Sequence, residues 1–573
     1  MMAGVEMNNL MPATLLLLGA LILPLTPRAV RSALFLVFPL AAFALLSRLE
    51  SGTTVTWPFL MYDLVVSRVD GLSLAFAYVF TLLAFLGGLY SFHIKDLGQQ
   101  VFTLLYAGAA LGVVFAGDWL TLYVFWEIMA ISSVWLIWSA RDLRSSRAGM
   151  RYLLMHLFGG MVLLAGILWH IDQTGSLLFN SLQPGGAATL ILFGFALNAA
   201  IPPLHTWLVD AYPEATITGS VFLSAFTTKT AVYVLARGFA GWEILVLAGT
   251  VMALYGVVFA FLENDIRRIL AYHIVSQVGY MVAGVGLGTE VAVSGATAHA
   301  FAHILYKGLL FMAVGAVIYA TGRRKLTDLG GLASGLPWVL VFYMVGALSI
   351  SGFPLLSGFV SKALVIHAAE LDHRSCAVLL LHAASVGTFL SVGLKLPYFT
   401  WFGTKRSLRL NVVPPGMYVA MACASLINFI IGLAPEVLYR VLPFAVEYRP
   451  YTATHLLETI ELLTFSGLAF WFLRGRLHGK ATLTLDFDWF YRATAPLVRR
   501  LLILRLNQGF AFVEGAALGA ARLVSRVSIN PFAVGLNPRA YDPDDDRSPV
   551  GVILLIVIMC FVVFLGWDYI LAD

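Results

Sequence analysis

Runs of about 20 apolar residues recur along nearly the whole of this chain, and that is the length a helix needs to cross the hydrocarbon core of a bilayer. They give candidate spans near 11–26, 31–47, 72–92, 99–116, 118–138, 150–171, 187–209, 217–239, 243–262, 268–287, 294–320, 336–369, 377–402, 413–434, 453–473 and 551–571, about sixteen crossings. Composition excludes a water-soluble arrangement. Of the 573 residues, 12% are charged and 60% hydrophobic, whereas an ordinary globular chain carries roughly 25% charge. The expected fold is an all-α polytopic membrane protein.

The net charge of +5 is spread over short loops, not gathered in one patch, which speaks against a nucleic-acid partner. If the first loop, with Arg28 and Arg31, is cytoplasmic, the same side receives Arg141, Arg144, Arg147 and Arg151, then Arg267 and Arg268, then Arg323, Arg324 and Lys325, and last Lys405, Arg406 and Arg409. The opposite loops hold Asp70, Asp118, Asp172, Glu290, Glu370 and Asp372 with few cations. This positive-inside pattern predicts a cytoplasmic (inner) membrane protein with both termini on the outer side. Cys376, Cys423 and Cys560 form no CxxC pair, so neither a disulfide framework nor a thiolate metal site is encoded. The run Leu15 to Leu25 resembles a signal-peptide core, but Glu6 and no Lys or Arg precede it, so cleavage is not expected.

Two spans look broken. Pro202-Pro203 interrupts 187–209 and Ser351-Gly352-Phe353-Pro354 interrupts 336–369; proline deletes backbone donors, so the freed carbonyls must face protein or water. Interrupted helices in two halves of a chain point to a transporter's ion site, the alternative being a packing kink. From Asp488 to about Val524, Trp489, Phe490, Leu497, Leu501, Leu504 and Phe512 alternate with Arg492, Arg499, Arg500, Arg505 and Arg522. That pattern predicts a C-terminal lateral amphipathic helix along the membrane surface, with an ordinary cytoplasmic loop as the alternative.

An ionisable residue at a helix centre costs about 2.5–3.5 kcal/mol, so each one inside a span needs a partner, water or a function. Glu127 lies well inside its span, Lys229 follows Thr227-Thr228, and Lys362 stands just beyond the second break. His299, His303 and Lys307 recur at intervals of four on one helix face. Lys395 sits in the apolar Leu394-Lys395-Leu396. Singly, each could be a snorkelling lysine or a structural ion pair. Together, a carboxylate, imidazoles and lysines make a path for protons or other small cations. His299 and His303 also have a metal or haem spacing, but such a group needs further ligands from other helices, so no metal and no cofactor is expected. No P-loop, dinucleotide fingerprint or supported Ser/His/Asp set is present.

These motifs resemble the antiporter-like subunits shared by respiratory complex I, Mrp-type cation/proton antiporters and membrane-bound hydrogenases. The similarity runs from about residue 70 to residue 410. It is carried by Phe125-Trp126-Glu127-Ile128-Met129, by Pro203-Leu204-His205-Thr206-Trp207-Leu208 followed by Asp210-Ala211, and by Asn264-Asp265-Ile266-Arg267-Arg268-Ile269-Leu270-Ala271-Tyr272. Further on come Ser276-Gln277-Val278-Gly279-Tyr280, His299-Ala300-Phe301-Ala302-His303, Lys307-Gly308-Leu309-Leu310-Phe311 and Ser351-Gly352-Phe353-Pro354 leading to Gly358-Phe359-Val360-Ser361-Lys362. In detail it is most similar to the D-type Mrp protein.

The resemblance implies two inverted five-helix repeats, each with a broken helix, forming two half-channels joined by a polar axis at mid-membrane. It divides the chain into N-terminal helices (1–98), a first repeat (99–240), a second repeat (241–410), C-terminal helices (411–480), the lateral segment (481–550) and a final span (551–573). Glu127 then matches the glutamate of the first half, Lys229 a lysine toward the centre, His303 and Lys307 the central relay, and Lys362 the terminal residue of the second half. It also implies other membrane subunits and lipids as partners, protons or sodium as cargo, and any redox centre in a partner subunit. One position departs. The family's first broken helix usually carries a lysine about nine residues before the Trp of His-Thr-Trp; Asn198 stands there. Asparagine can hydrogen-bond a carboxylate but lends it no positive charge, so water, His156 or a partner subunit must serve Glu127. The leading expectation is a proton-translocating or cation/proton-exchanging subunit. The alternatives are a pump module of a quinone- or hydrogen-linked oxidoreductase, and an inactive scaffold clamping its partners.

Overall fold

The computed structural model describes residues 11–60, 62–475, 485–529 and 550–571. They fall into two compact units, Met1–Thr484 and Leu485–Asp573.

The first unit is a bundle of apolar helices with boundaries close to those expected. In order these are α1 (Pro12–Ile22), α2 (Arg28–Leu46), α3 (Gly71–Tyr90), α4 (Leu97–Phe115), α5 (Trp119–Trp138), α6 (Leu143–Thr174), α7 (Gly186–Asn198), α8 (Thr206–Ala211), α9 (Gly219–Leu223) and α10 (Thr227–Gly238). There follow α11 (Glu243–Leu262), α12 (Ile266–Leu287), α13 (Glu290–Thr321), α14 (Pro337–Ser351), α15 (Ser357–Leu371), α16 (Ser375–Thr388), α17 (Pro415–Leu433), α18 (Pro435–Tyr439) and α19 (Ala453–Leu473). Asp side chains at Asp70, Asp96, Asp118 and Asp142 accept from first-turn amides and start α3 to α6. At Gly249 and Gly279, α11 and α12 touch backbone to backbone, since a Cβ at either would overlap the other helix.

Thirteen helical stretches among the described residues, α9 and α10 together counting as one, are long and apolar enough to cross a membrane. Twelve coincide with predicted spans. The thirteenth, Asp488–Ser525, is the segment expected to lie laterally, and its length and composition would also permit a crossing. α12 and α13 are enclosed, whereas α6 turns Leu154, Phe158, Met161, Leu168 and Trp169 outward; exposed apolar surface of that kind requires lipid.

Contacts between loops define two ends of the bundle. One gathers the basic loops: Arg141 pairs with Asp96 at 2.5 Å, Arg268 with Glu263 at 3.0 Å, and Arg324 with Glu214 at 2.7 Å and Asp265 at 2.8 Å. The other gathers the acidic loops: Arg237 pairs with Asp70 at 2.8 Å, Arg374 with Glu243 at 2.6 Å, and Arg68 donates to the Phe179 carbonyl at 2.7 Å.

Three features depart from the sequence reading. The all-α expectation gives way between α2 and α3 to an antiparallel hairpin, β1 (Thr54–Phe59) and β2 (Tyr62–Arg68), at the acidic end; its alternating β-branched and aromatic residues suit strands. The span expected at 217–239 is interrupted at Ser224–Phe226, so that α9 and α10 are separate pieces. α16 continues as π-helix over Phe389–Lys395 and Tyr398–Phe402.

The second unit contains α20 (Asp488–Val498), a π-helical turn (Arg499–Ile503), α21 (Leu504–Ile529) and α22 (Val550–Leu571). In α20, Arg492 pairs with Asp488 one turn away at 2.8 Å.

Candidate ion path

Glu127 is half-buried on α5, and its Oε1 atom, enclosed, accepts no hydrogen bond. The carboxylate rests on Gly160 of α6, the position where a Cβ would collide with Oε1. One turn earlier on α6, His156 is 1% exposed, lies tilted against the Tyr152 ring at 4.1 Å and meets the edge of Trp207 at 4.5 Å. Asn198 ends α7 facing His156, and neither side chain closes a well-formed hydrogen bond. Beyond it the chain leaves the helix through Ala200, at φ 59°, and Pro202-Pro203; Trp207 Nε1 secures the break by donating to the Leu197 carbonyl at 2.9 Å. The expected break is therefore in place. His156 donates no hydrogen bond to Glu127.

Hydroxyl groups connect this half to the centre. The Tyr152 hydroxyl is 2.7 Å from Ser133 Oγ, and the Tyr106 hydroxyl is 2.6 Å from Thr227 Oγ1 and accepts from the Thr227 amide at 3.0 Å. Two residues on, Lys229 is fully enclosed. Its Nζ donates to the Ser224 carbonyl at 2.6 Å and to Thr228 Oγ1 at 3.1 Å. The lysine thus satisfies the backbone that the interruption between α9 and α10 sets free.

α13 presents His299, His303 and Lys307 as a buried row. His299 Nδ1 meets Ser361 Oγ at 3.1 Å, while both nitrogens of His303 and the Nζ of Lys307 are enclosed without hydrogen-bond partners. Lys229 and Lys362 each lie within electrostatic reach of His299, His303 and Lys307, and His303 lies within reach of His299 and Lys307. Lys362 follows the second break, where Ser349 and Ser357 both donate to Asn428 Oδ1 of α17, at 3.3 and 2.5 Å. Its Nζ stands 5.1 Å from the centre of the Tyr280 ring and 3.4 Å from Ser385 Oγ.

Lys395 lies toward the basic end. Its Nζ donates to the carbonyls of Phe261, at 2.5 Å, and Glu263, at 3.0 Å, closing the end of α11. Burial pushes the Glu263 carboxyl above its usual range while Arg268 draws it back. One turn before Lys395 on the π-helical stretch, Ser391 Oγ meets His273 Nε2 at 2.6 Å, and His273 lies within reach of Lys307 and Lys362. His273, Tyr106, Tyr152, Gly160 and Asn428 were not singled out by sequence. The repeated intervals on α13 drew attention there, whereas a lone histidine or tyrosine in an apolar run gives no such signal.

Residues 116–391 match the family described as the transmembrane part of NADH:quinone oxidoreductase and the Mrp antiporter. A Na(+)/H(+) antiporter protein of the D type from Alkalihalophilus pseudofirmus is 30% identical over 354 residues, covering 57% of this chain and 71% of that protein. Hydrogenase-4 component B of Escherichia coli is 28% identical, covering 68% of this chain and 67% of that one. Among solved structures, a chain of the Mrp complex from Dietzia sp. DQ12-45-1b superposes with a TM-score of 0.68 at 22% identity, over 80% of this chain and 99% of its own. Similarity spanning most of a relative's length and the ordered motifs between Glu127 and Lys362 converge on one conclusion: this multi-pass membrane protein belongs to the NADH:quinone oxidoreductase/Mrp antiporter transmembrane family.

Proposed function

We propose that the chain is a proton-translocating or monovalent cation/proton antiporter subunit of a multisubunit membrane complex. The observation that carries this reading is the enclosed set of Lys229, His299, His303, Lys307 and Lys362, in which His303 lies within electrostatic reach of the other four and no carboxylate is included. At such spacing a proton held by one group disfavours a proton on the next, which is the condition for handing it along. Lys395 and His273 extend the set toward the basic end, and the Tyr152, Tyr106 and Thr227 hydroxyls extend it toward Glu127. Partners would be the other membrane subunits of an antiporter or complex I-like assembly, as the neighbouring Mrp complex chain suggests.

The proposal includes about sixteen crossings and two inverted repeats, 99–240 and 241–410, each with its own broken helix. It includes a cytoplasmic membrane with the basic end inside, a lateral course for the segment 481–550, of which 481–484 and 530–549 lie outside the described residues, and a final span at 551–573, of which 572–573 lie outside them. Similarity to hydrogenase-4 component B favours one second reading, a pump module of an oxidoreductase whose redox centres reside in other subunits.

The test is purification in mild detergent with identification of co-purifying subunits, followed by proton and sodium flux in membrane vesicles. Lys229→Ala and Lys362→Ala are expected to retain assembly and lose flux. Retained assembly with unchanged flux in both would leave only a scaffold.

A further inference from the structure

Lys362 is 3% exposed, yet a graded line of side chains leads from it to the acidic end of the bundle. Its Nζ reaches Ser385 Oγ on α16 at 3.4 Å. His382 stands one turn before Ser385 on the same helix, half-buried, within electrostatic reach of Glu370, Glu458, His455 and Lys362. Glu370, in the last turn of α15, and Glu458, in the second turn of α19, have exposed side chains, and neither is ion-paired to a Lys or Arg among the described residues. Tyr448 lies within reach of both carboxylates.

The walls of this line are fixed. The Tyr448 ring stacks on His367 at 4.6 Å, and His455 stacks on Phe359, one turn before Lys362, at 4.7 Å. His455 Nδ1 is also held, 2.9 Å from the Pro450 carbonyl, and His367 Nδ1 is 3.7 Å from Glu370 Oε2, whereas His382 lies within electrostatic reach of Lys362 and of both carboxylates. α19 lies outside the residues that match the family, so this mouth uses an element the family motifs do not include.

We propose that His382, with Glu370 and Glu458 beyond it, forms the outlet through which the second half of the path exchanges protons with solution at the acidic end. The inference rests on the transport reading above. In one passage the Lys362 ammonium gives a proton to the Ser385 hydroxyl, which releases its own to His382. The imidazole passes a proton to a carboxylate, and all three donors end in their starting states once Lys362 is reloaded.

Flux in vesicles carrying the assembled complex tests it, with Lys362→Ala as reference. His382→Ala is expected to slow flux about tenfold and move its pH profile, because positioned proton-transfer groups are worth about 10²–10⁴ and water replaces them only in part. His382→Glu, which keeps a titratable group, is expected to restore at least about half the rate. The exposed Glu370→Gln/Glu458→Gln pair is expected to slow flux without changing the yield of complex. If Lys362→Ala stops flux while His382→Ala keeps the normal rate and pH profile, the outlet is wrong and the transport reading stands. Equal slowing in His382→Ala and His382→Glu would show a packing role and overturn the outlet. Unchanged flux in Lys362→Ala would overturn the outlet, and unchanged flux in Lys229→Ala as well would overturn the transport reading.

Discussion

Lys229 bridges the gap between α9 and α10 by donating from Nζ to the carbonyl oxygen of Ser224, 2.6 Å away. The side-chain amine thereby stands in for the amide that the interrupted helix no longer aims at that oxygen. The residue has two separable duties, closing a backbone gap and holding a mobile proton.

Substitution at 229 separates them. Glutamine retains an N–H donor for the Ser224 carbonyl but has no proton to pass on. Lys229→Gln is expected to preserve the yield and melting temperature of the complex while abolishing flux. Lys229→Ala is expected to lose flux as well and to destabilise by about 1–3 kcal/mol, the cost of an unsatisfied buried acceptor. Melting curves of the solubilised complex beside vesicle flux measure both.

Asp70 should make the acidic end sensitive to low pH. Burial raises its carboxyl, but the Arg237 guanidinium and the Ser73 amide outweigh that effect and hold it below the ordinary value of 3.8. A depressed carboxyl stabilises the fold above its unfolded value and loses that stabilisation as pH falls through its folded value. Melting temperature is therefore expected to drop below about pH 4. Asp70→Asn, which keeps an equivalent cap but loses the ion pair with Arg237, should flatten that acid limb and cost up to about 1 kcal/mol at neutral pH.

How much of this was legible in sequence depended on whether the cause was local. Helix boundaries and the breaks at Pro202-Pro203 and Gly352-Phe353-Pro354 were, because apolar runs and missing amide donors are written in consecutive residues. The break at Ser224–Phe226 was not: it contains no proline or glycine, and its stability comes from Lys229 and from Tyr106 on another helix. The hairpin was hidden by its shortness and by Pro58. Of the charged residues named from sequence, Lys229, His299, His303, Lys307 and Lys362 come together, whereas Glu127 and Lys395 stand at the two wings. Spacing along a helix can place residues on one face; which faces meet is decided by packing between helices.

The second break should tolerate loss of a side-chain bond better than addition of an atom. Asn428 accepts from both Ser349 and Ser357, and those hydroxyls are 3.1 Å apart, able to pair with each other if the amide is removed. Asn428→Ala is expected to lower stability by about 1–3 kcal/mol and leave an assembled complex. A Cβ at Gly358 would overlap the Ser349 backbone oxygen, which cannot swing aside. Gly358→Ala is expected to abolish the complex, read as loss of co-purifying subunits.

Gly160 offers the sharpest test of Glu127, because a methyl group there would occupy the place of the Glu127 Oε1 atom. The carboxylate is the free end of a flexible side chain, so it can rotate away at little cost to the fold. Its direction, and with it any use it has, would change. Gly160→Ala is therefore expected to keep normal assembly and melting yet match Glu127→Ala in flux, with no further loss when the two are combined, since both remove the same contact. Asn198→Lys supplies the cation that the first half lacks; if Glu127 lies on the path, that variant should change coupling in the wild-type background and do nothing beside Glu127→Ala. Unchanged flux in Gly160→Ala, Glu127→Ala and Asn198→Lys alike would confine transport to the line from Lys229 to Lys362 and reduce Glu127 to a half-buried carboxylate of α5.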